Sequence, residues 1–566
     1  MPPTIPLPTP EIWVAATLIG IAALSALIFW ATTPWQSKER SDAPWPMRLF
    51  MAFLIVLVPV WALLIAATVV SLWNVLLHSD APKSAEDARW SVAIIGGQMT
   101  ALIALVSAPL ALIRVYTTER QTRTAEQGHM TDRISKAVEQ LGAEKTVKVS
   151  GKDKDGNDKT IEETKPNIEV RIGGLLSLER ISQDSVKYDK GRDHVRVMEI
   201  ICAYVRENAP ASGAVAAPQQ PEISEETSLR EHWKTYQETL QTWAHSLPPP
   251  RQDITTALNI IGRREAGQLR AEARWGKKTQ PEAEWVFANP PPPYPTGTNG
   301  AEPSHAEREA YIAHLKDWRQ SLRAYPGYRP DLRGTNLQKA DLSEKILAGI
   351  RLDRAQLQRA DLRMAQLHGA DLEMAQVQGA DLSWAQLQGA DLSSAQLQGA
   401  VLREAQFQGA VLFAAQLQGA YLREAQLQGA ELFAAQLHGA DLREAQFQGA
   451  VLFAAQLHGA DLRDAQLQGA DLRGAHLDKA TRLSAADVSQ AALRHVDYLT
   501  VVLSPEQIKS MFGDGSVFLP GGITPDHPDW PPHWPKAELD WDEFETEWRR
   551  WQADLENIKL PDPAPK

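Results

Sequence analysis

Residues 401–460 read VLREAQFQGAVLFAAQLQGAYLREAQLQGAELFAAQLHGADLREAQFQGAVLFAAQLHGA. A large apolar residue falls at every fifth position, with alanine two residues before it. Outward from this stretch, leucine holds that position from Leu332 to Leu477, replaced only by Val377, Phe407 and Phe447, and the alanine persists from Ala355 to Ala475. A five-residue period matches neither the 3.6 of an α-helix nor the 2.0 of a flat strand. Two inward residues per five, one large and one small, require a chain that turns a corner in each unit. The blocks 401–420, 421–440 and 441–460 also repeat with a period of twenty residues. Twenty is four fives, which predicts a four-sided coil with equivalent residues stacked one coil apart and held by nearest-neighbour contacts.

On that reading the faces differ in chemistry. Arg403, Arg423, Arg443 and Arg463 form a ladder beside Glu404, Glu424, Glu444 and Asp464. The opposite face carries Phe413, Phe433 and Phe453. The other two carry Gln408, Gln428, Gln448 and Gln468, and Gln418, His438 and His458. Stacked aromatics left in water are costly without a partner, so the phenylalanine column is the leading candidate for an interaction surface.

The A-D-L-x-x run, as in GADLSWAQLQGADLSSAQLQGA (379–400), resembles the pentapeptide-repeat proteins. That resemblance implies a right-handed quadrilateral β-helix. The flanks RQTRTAEQGHMTDRISKAVEQLG (120–142), EVRIGGLLSLERISQDS (169–185), VMEIICAYVRENAP (197–210) and LSPEQIKSMFGDGSVFLPGG (503–522) resemble a membrane-anchored bacterial subgroup of that family. Two departures stand out: an insertion at 143–167, and SEKILAGI (343–350), where Lys345 and Ile350 replace alanines and a distorted early coil is expected. The family implies a fold more firmly than an activity.

The 566 residues carry 58 Lys and Arg against 70 Asp and Glu, a net charge of −12, which argues against nucleic acid as a partner of the whole chain. Apolar residues are unevenly spread: 12–37, 49–79 and 90–113 contain no Asp, Glu, Lys or Arg. Stretches of this length predict transmembrane helices at 12–32, 49–77 and 90–113, with the lipid bilayer as partner. Pro59 would kink the second, and Gly96, Gly97, Gln98 and Pro109 weaken the third. Residues 1–12 lack Lys and Arg, which fits a retained anchor better than a cleaved signal peptide. Lys38, Arg40, Arg48, Arg114, Arg120 and Arg123 then place the bulk of the chain on the cytoplasmic side of a bacterial inner membrane.

The expected organisation is a membrane anchor (1–113), a juxtamembrane helical region (114–265), a proline-rich linker with a helix (266–328), the repeat (329–500) and a C-terminal cap with an acidic helix (501–566). The 143–167 insertion reads as a polar hairpin turning at Asp155-Gly156. Its Asp153/Asp155/Asn157 spacing is a poor calcium loop, because the glycine is misplaced. APASGAVAAPQQP (209–221), LPPP (247–250) and NPPPPYP (289–295) read as semi-rigid linkers. The lone Cys202 excludes a disulfide framework and a multi-cysteine zinc site, and lies on an apolar helix side as a structural thiol.

After Ala480 the phase shifts by one residue to Leu483, Val488, Leu493 and Tyr498. Ser504-Pro505-Glu506-Gln507 is a capping box that opens a short helix. A final helix over 536–558 carries Trp541, Phe544, Trp548, Trp551, Leu555 and Ile558 on one side. It serves either as a cap for the rod or as a docking helix for a partner.

There is no G-x-x-x-x-G-K-[ST], no H-E-x-x-H and no G-x-S-x-G, so neither catalytic nor cofactor nor metal residues are expected. His438 and His458 stack, but Gln418 occupies the equivalent site and makes a metal site a poor reading. The function expected is a membrane-tethered, non-enzymatic scaffold whose rod meets an unknown protein partner or a second copy. Its candidate surface is Phe413, Phe433, Phe453, Trp541, Phe544, Trp548 and Trp551. Two alternatives from other classes are a DNA-mimicking topoisomerase binder and a small channel or sensor with a regulatory solenoid. The repeat's arginine ladder counts against the first, and the charge-free spans count against the second.

Overall fold

The computed structural model describes residues 65–71, 73, 85–152, 158–188, 190–219, 229–275, 282–296 and 303–557. It divides into two compact units, 1–129 and 130–566. In chain order the elements are α1 (Ala85–Leu141), β1 (Glu144–Lys152), β2 (Asp158–Pro166), α2 (Ile168–Tyr188), α3 (His194–Asn208), α4 (Leu229–Ser246), α5 (Gln252–Gly262), α6 (Ala266–Arg274) and α7 (His305–Arg323). After the repeat come β3 (Ala492–Leu493), α8 (Pro505–Ser510), β4 (Phe512–Gly513) and α9 (Trp541–Asn557).

The transmembrane part of the expected fold requires correction. Segment 12–32 lies outside the described residues, as does 49–77 apart from helical residues 65–71 and 73. Segment 90–113 is not a separate span but part of α1, a helix of 57 residues. Gly96, Gly97, Gln98 and Thr100 interrupt its apolar run, and from Arg114 onward it is strongly polar. No helix among the described residues is long and apolar enough to cross a membrane.

The repeat forms the expected four-sided coil. Parallel bridges join residues twenty apart, from Asp331↔Arg351 through Gln456↔His476. Each side contributes a pair of rungs: Leu427 N donates to Gln446 O at 2.7 Å, and Gln446 N donates to Ala425 O at 2.9 Å. The corner closes when Ala430 N donates to Leu427 O at 3.0 Å. The residue that ends each unit's turn adopts positive φ at every corner from Gly334 to Gly474, for example Gly429 (61°), Glu424 (60°) and Ala434 (54°). Inside, the leucines, alanines and both phenylalanines (Phe407, Phe447) are fully buried. Each leucine is worth about 1.5–3 kcal/mol before entropy. From Asp461↔Arg482 the spacing becomes twenty-one, the one-residue phase shift visible after Ala480.

SEKILAGI keeps the twenty-residue register, since Asp341 pairs Asp361 and Ile346 pairs Gln366. Its odd residues are explained by docking instead. Ile346 N donates to Gly262 O at 2.8 Å, and the Lys345 stem lies where a Cβ on Gly262 would sit. Helices α2, α3 and α5 share one continuous apolar core with the first coils, so the helical region closes this end of the rod. Segment 209–219 is not a spacer: Asn336 N donates to Ala209 O, and Gln338 Nε2 to Val215 O at 2.7 Å. At the far end, Gln507 Nε2 caps the carbonyls of Leu483 and Ala486 at 2.9 and 3.0 Å. These contacts occupy edges that would otherwise template aggregation. The insertion is a two-stranded antiparallel hairpin whose tip, 153–157, lies outside the described residues.

We label the four sides by their first leucines: A (Leu332), B (Leu337), C (Leu342) and D (Leu347). Sides B and D place glycine at the corner in successive coils, and each glycine admits a helix. A Cβ on Gly439 would lie 2.6 Å from Trp233 Cδ1, and one on Gly399 would lie 3.1 Å from Gln237 Cγ, so α4 lies along side B. On side D, Ile312, Leu315, Trp318 and Leu322 of α7 meet Gly449, Gly429, Gly389 and Gly369. Successive helical turns of about 5.4 Å therefore mesh with coils about 4.8 Å apart.

Side B also carries a stack of imidazoles beside α4. The His438 and His458 rings are 5.1 Å apart and nearly parallel, with Nδ1···Nδ1 at 3.2 Å, and His476 follows at 6.0 Å. His438 Nε2 lies 2.6 Å from Gln456 Oε1. Burial lowers the pKa of both His438 and His458, as it does for His368 and His533.

Two outcomes follow. Gly439→Ala combines positive φ with a clash against Trp233 and should destabilise by about 1–2 kcal/mol or more. Ala434→Gly, at an uncovered corner, should be neutral or stabilising; equal losses in chemical denaturation would contradict the cladding of side B. For the histidines, the folded pKa is below the unfolded value of about 6.5, so the unfolded chain binds more protons. Stability should fall as pH drops below about 6.5. His438→Gln with His458→Gln, which copies Gln418, should remove part of that loss, leaving the share of His368 and His533. Identical drops in melting temperature between about pH 7.5 and pH 5.5 for both proteins would refute this.

Candidate interaction surfaces

With B and D clad, A and C remain uncovered by helices over most of their length. On side A, Phe413, Phe433 and Phe453 form a stack with centroids 5.3 and 5.0 Å apart and planes within 17°. Phe413 is 47% exposed and Phe433 38%. Phe453 is half-buried, because Trp541 meets its ring edge-on at 5.2 Å. Trp541 is itself 44% exposed and lies over Arg473, whose guanidinium is 4.2 Å from its centroid. Two coils before Phe413, Met374 is 45% exposed on the same side. Its place in the twenty-residue repeat is the corner column of Ala414 and Ala434, beside the phenylalanine column, whose own position in that coil is held by Glu373.

The remaining candidates separate from that strip. Phe544 and Trp548 are fully buried with Ala492 and Phe512, and Trp551 packs at the edge of this cluster. Trp548 Nε1 and Gln552 Nε2 both donate to Gln490 O, at 2.9 and 3.0 Å. Helix α9 thus serves as a cap for the rod, tied as well to α7 through Arg549 and Glu309. Only its first residue, Trp541, reaches the open surface of side A.

Side C is charged. Its arginines are held by carboxylates: Arg443 to Asp441 at 2.6 Å, Arg463 to Asp461 at 2.8 Å and Arg423 to Glu444 at 2.7 Å. Where the spacing is D-L-R, as at Asp441–Arg443 and Asp461–Arg463, it places Asp and Arg on one edge, two residues apart. Glu404, Glu424, Glu444 and Asp464 line a shallow groove of 520 Å³ with Gln406, Gln426, Gln446 and Gln466, closed at one end by the exposed Trp384.

One buried constellation has the order of a nucleophilic triad. Ser182 Oγ lies 2.7 Å from His194 Nδ1, and His194 Nε2 lies 3.2 Å from Glu272 Oε1. Its environment is that of a structural network. Ser182 also accepts from Gln268 Nε2 at 2.6 Å, and Arg264 grips both oxygens of Glu272 at 2.8 and 2.7 Å. All five side chains are buried, so a substrate could reach none of them. Cys202 is likewise inert: burial pushes its thiol up to about 11, and Tyr328 Oη is 3.6 Å from its sulfur. No cluster of three or more His, Cys, Asp or Glu among the described residues could hold a metal ion.

The model of the family "Pentapeptide repeats" matches in eight copies, over residues 331–373, 380–415, 410–449 and 455–497. Among solved structures, the chain is similar to HetL, a pentapeptide repeat protein involved in heterocyst differentiation regulation from the cyanobacterium Nostoc sp. strain PCC 7120. The two share 32% identity over 34% of this chain and 89% of HetL, with a TM-score of 0.29. QnrB1, a plasmid-mediated fluoroquinolone resistance protein, is 16% identical over 36% of this chain and 95% of its own, with a TM-score of 0.24. A pentapeptide repeat protein from the Arabidopsis thaliana thylakoid lumen is 28% identical over 24% of this chain and 83% of its own, with a TM-score of 0.09. No curated protein matches. The twenty-residue ladder, the family match and the likeness to HetL make this chain a pentapeptide-repeat protein.

Proposed function

We propose that the chain is a non-enzymatic scaffold whose rod offers side A to another protein surface. The observation that carries this reading is the contrast between sides. Two are covered by the chain's own helices, and the third leaves a stacked column of phenylalanines in water. A rigid ladder suits recognition because its side chains are ordered before binding, so little conformational entropy is lost on contact. Exposed aromatics in a fixed row have the composition of an interface centre. Side C fits a different role. Its arginine ladder interrupts the row of carboxylates, which favours a solvated face over an acidic mimic of duplex DNA.

The test is affinity capture with the full chain against the Phe413→Ser/Phe433→Ser variant. Both phenylalanines lie outside the buried interior, so the variant should keep its far-UV circular dichroism and melting temperature. The expected result is loss of a specific bound protein from an otherwise folded chain. An unchanged set of bound proteins would contradict the reading. As a control, Trp548→Ala should destabilise the cap by about 3–5 kcal/mol, visible as an earlier unfolding step.

A further inference from the structure

We infer that the far end of side C is a docking edge for an extended, acidic segment of another protein, which adds to the rod as one further parallel strand. This goes beyond the reading of side A and does not depend on it. Along the rod, the leucine of each unit and the residue two after it donate their amides to the next coil. On side C, Leu462 N donates to Arg482 O at 2.8 Å and Asp464 N to Ser484 O at 3.3 Å. After that the coils stop, and the four sides end differently. Side A is met by β4, with Ala492 and Leu493 paired to Phe512 and Gly513. On side B, Tyr498 N donates to Phe518 O at 2.8 Å, and on side D, Gln490 N donates to Ser510 O at 2.6 Å. On side C, Leu483 N and Ala485 N, with Val488 N round the corner, find no acceptor among the described residues.

The acceptors of this edge are already used, because Gln507 Nε2 holds Leu483 O and Ala486 O at 2.9 and 3.0 Å. The edge therefore has donors to give and lacks carbonyls to meet them. A second copy cannot supply these edge to edge, since its own edge presents donors too, and its opposite end is closed by α2, α3 and α5. An extended segment can, through carbonyls two residues apart, which is how strand addition works. The edge floors a groove of about 950 Å³ between the last coil and residues 502–510. Val502, 81% exposed, and Leu503 line it and seat an apolar side chain. Charge complementarity sets the other positions. Arg482 ends the column of Asp441 and Asp461, is half exposed, and has Asp461 3.7 Å away on its inner side. Lys479 and Arg463 line the same groove, whose two carboxylates, Asp487 and Glu506, belong to side D and to α8. A carboxylate in the next place of the column would lie against Arg482 from the outer side. The segment that fits thus alternates acidic and apolar residues, as Asp461 and Leu462 do within the rod.

The test is hydrogen–deuterium exchange of the purified full chain, read residue by residue. Its probes are two end-blocked heptapeptides, one alternating valine with glutamate and one alternating valine with lysine. In the free chain the Leu483 and Ala485 amides should exchange about tenfold or more faster than those of Leu462 and Asp464. That difference should hold at every protein concentration, and also in a chain ending at Asn557. The valine–glutamate peptide should slow both amides, and the valine–lysine peptide should not. Arg482→Glu, a change at an exposed residue, should keep the melting temperature and weaken binding of the valine–glutamate peptide by about tenfold. Protection in the free chain that rises with concentration would give the edge to a second copy. Protection lost on removing 558–566 would give it to the chain's own C-terminus, and either result overturns the inference. So would equal binding of the two peptides, binding of neither, or an Arg482→Glu chain that binds as the wild type does.

Discussion

Everything in this molecule depends on the fit between one coil and the next. The backbone rungs require every coil to have the same length, and the interior requires one large and one small side chain per side. The corner requires a residue at positive φ. Glycine meets that last demand without strain, whereas glutamate, alanine or methionine there costs about 1–2 kcal/mol each. The array accepts this cost at corner after corner on sides A and C, including Met374, Glu424 and Ala434. The buried leucines on either side outweigh it. Because every coil is supported by its neighbours, the two ends are the weak points, and both are occupied by other parts of the chain.

The corner residue also decides what each side can do. A glycine corner is flat enough for a helix to lie on, and sides B and D, rich in such corners, carry α4 and α7. A corner with a Cβ holds a helix away, and the sides built mainly that way remain open. Alternating glycine and non-glycine units therefore turn a uniform coil into a rod with two clad and two presenting sides. The presenting sides differ in turn: one charged, with arginines held by carboxylates, the other lined with aromatic rings.

The coil, its twenty-residue register and the late phase shift were legible in the sequence because each follows from spacing alone. The capping box at Ser504 was legible for the same reason, and both of its reciprocal hydrogen bonds form. The cladding was not read. α4 and α7 are polar on average, and their few apolar residues are matched to glycines far away in sequence, which no local periodicity reveals. The signal was present as glycine at alternate corners from Gly369 onward, but a corner glycine explains itself by its φ and prompts no search for a neighbour. The Trp-rich helix showed the opposite limit. Its apolar stripe announced a burial partner, and only the structure assigned Phe544 and Trp548 to the rod's own end while leaving Trp541 on side A. Charge-free runs misled in another way: 90–113 is apolar by count, yet it continues without a break into a long polar helix.

Hydroxyl-radical footprinting of the full chain at low concentration reads the exposure of each ring separately, and so distinguishes clad sides from presenting ones. Phe413, Phe433, Met374 and Trp384 should be modified fast, with protection of Trp233 under α4, Trp548 in the cap and Phe407 inside the rod. Protection of Phe413 and Phe433 in a monomeric sample, or modification of Trp233 as fast as theirs, would contradict that division of sides.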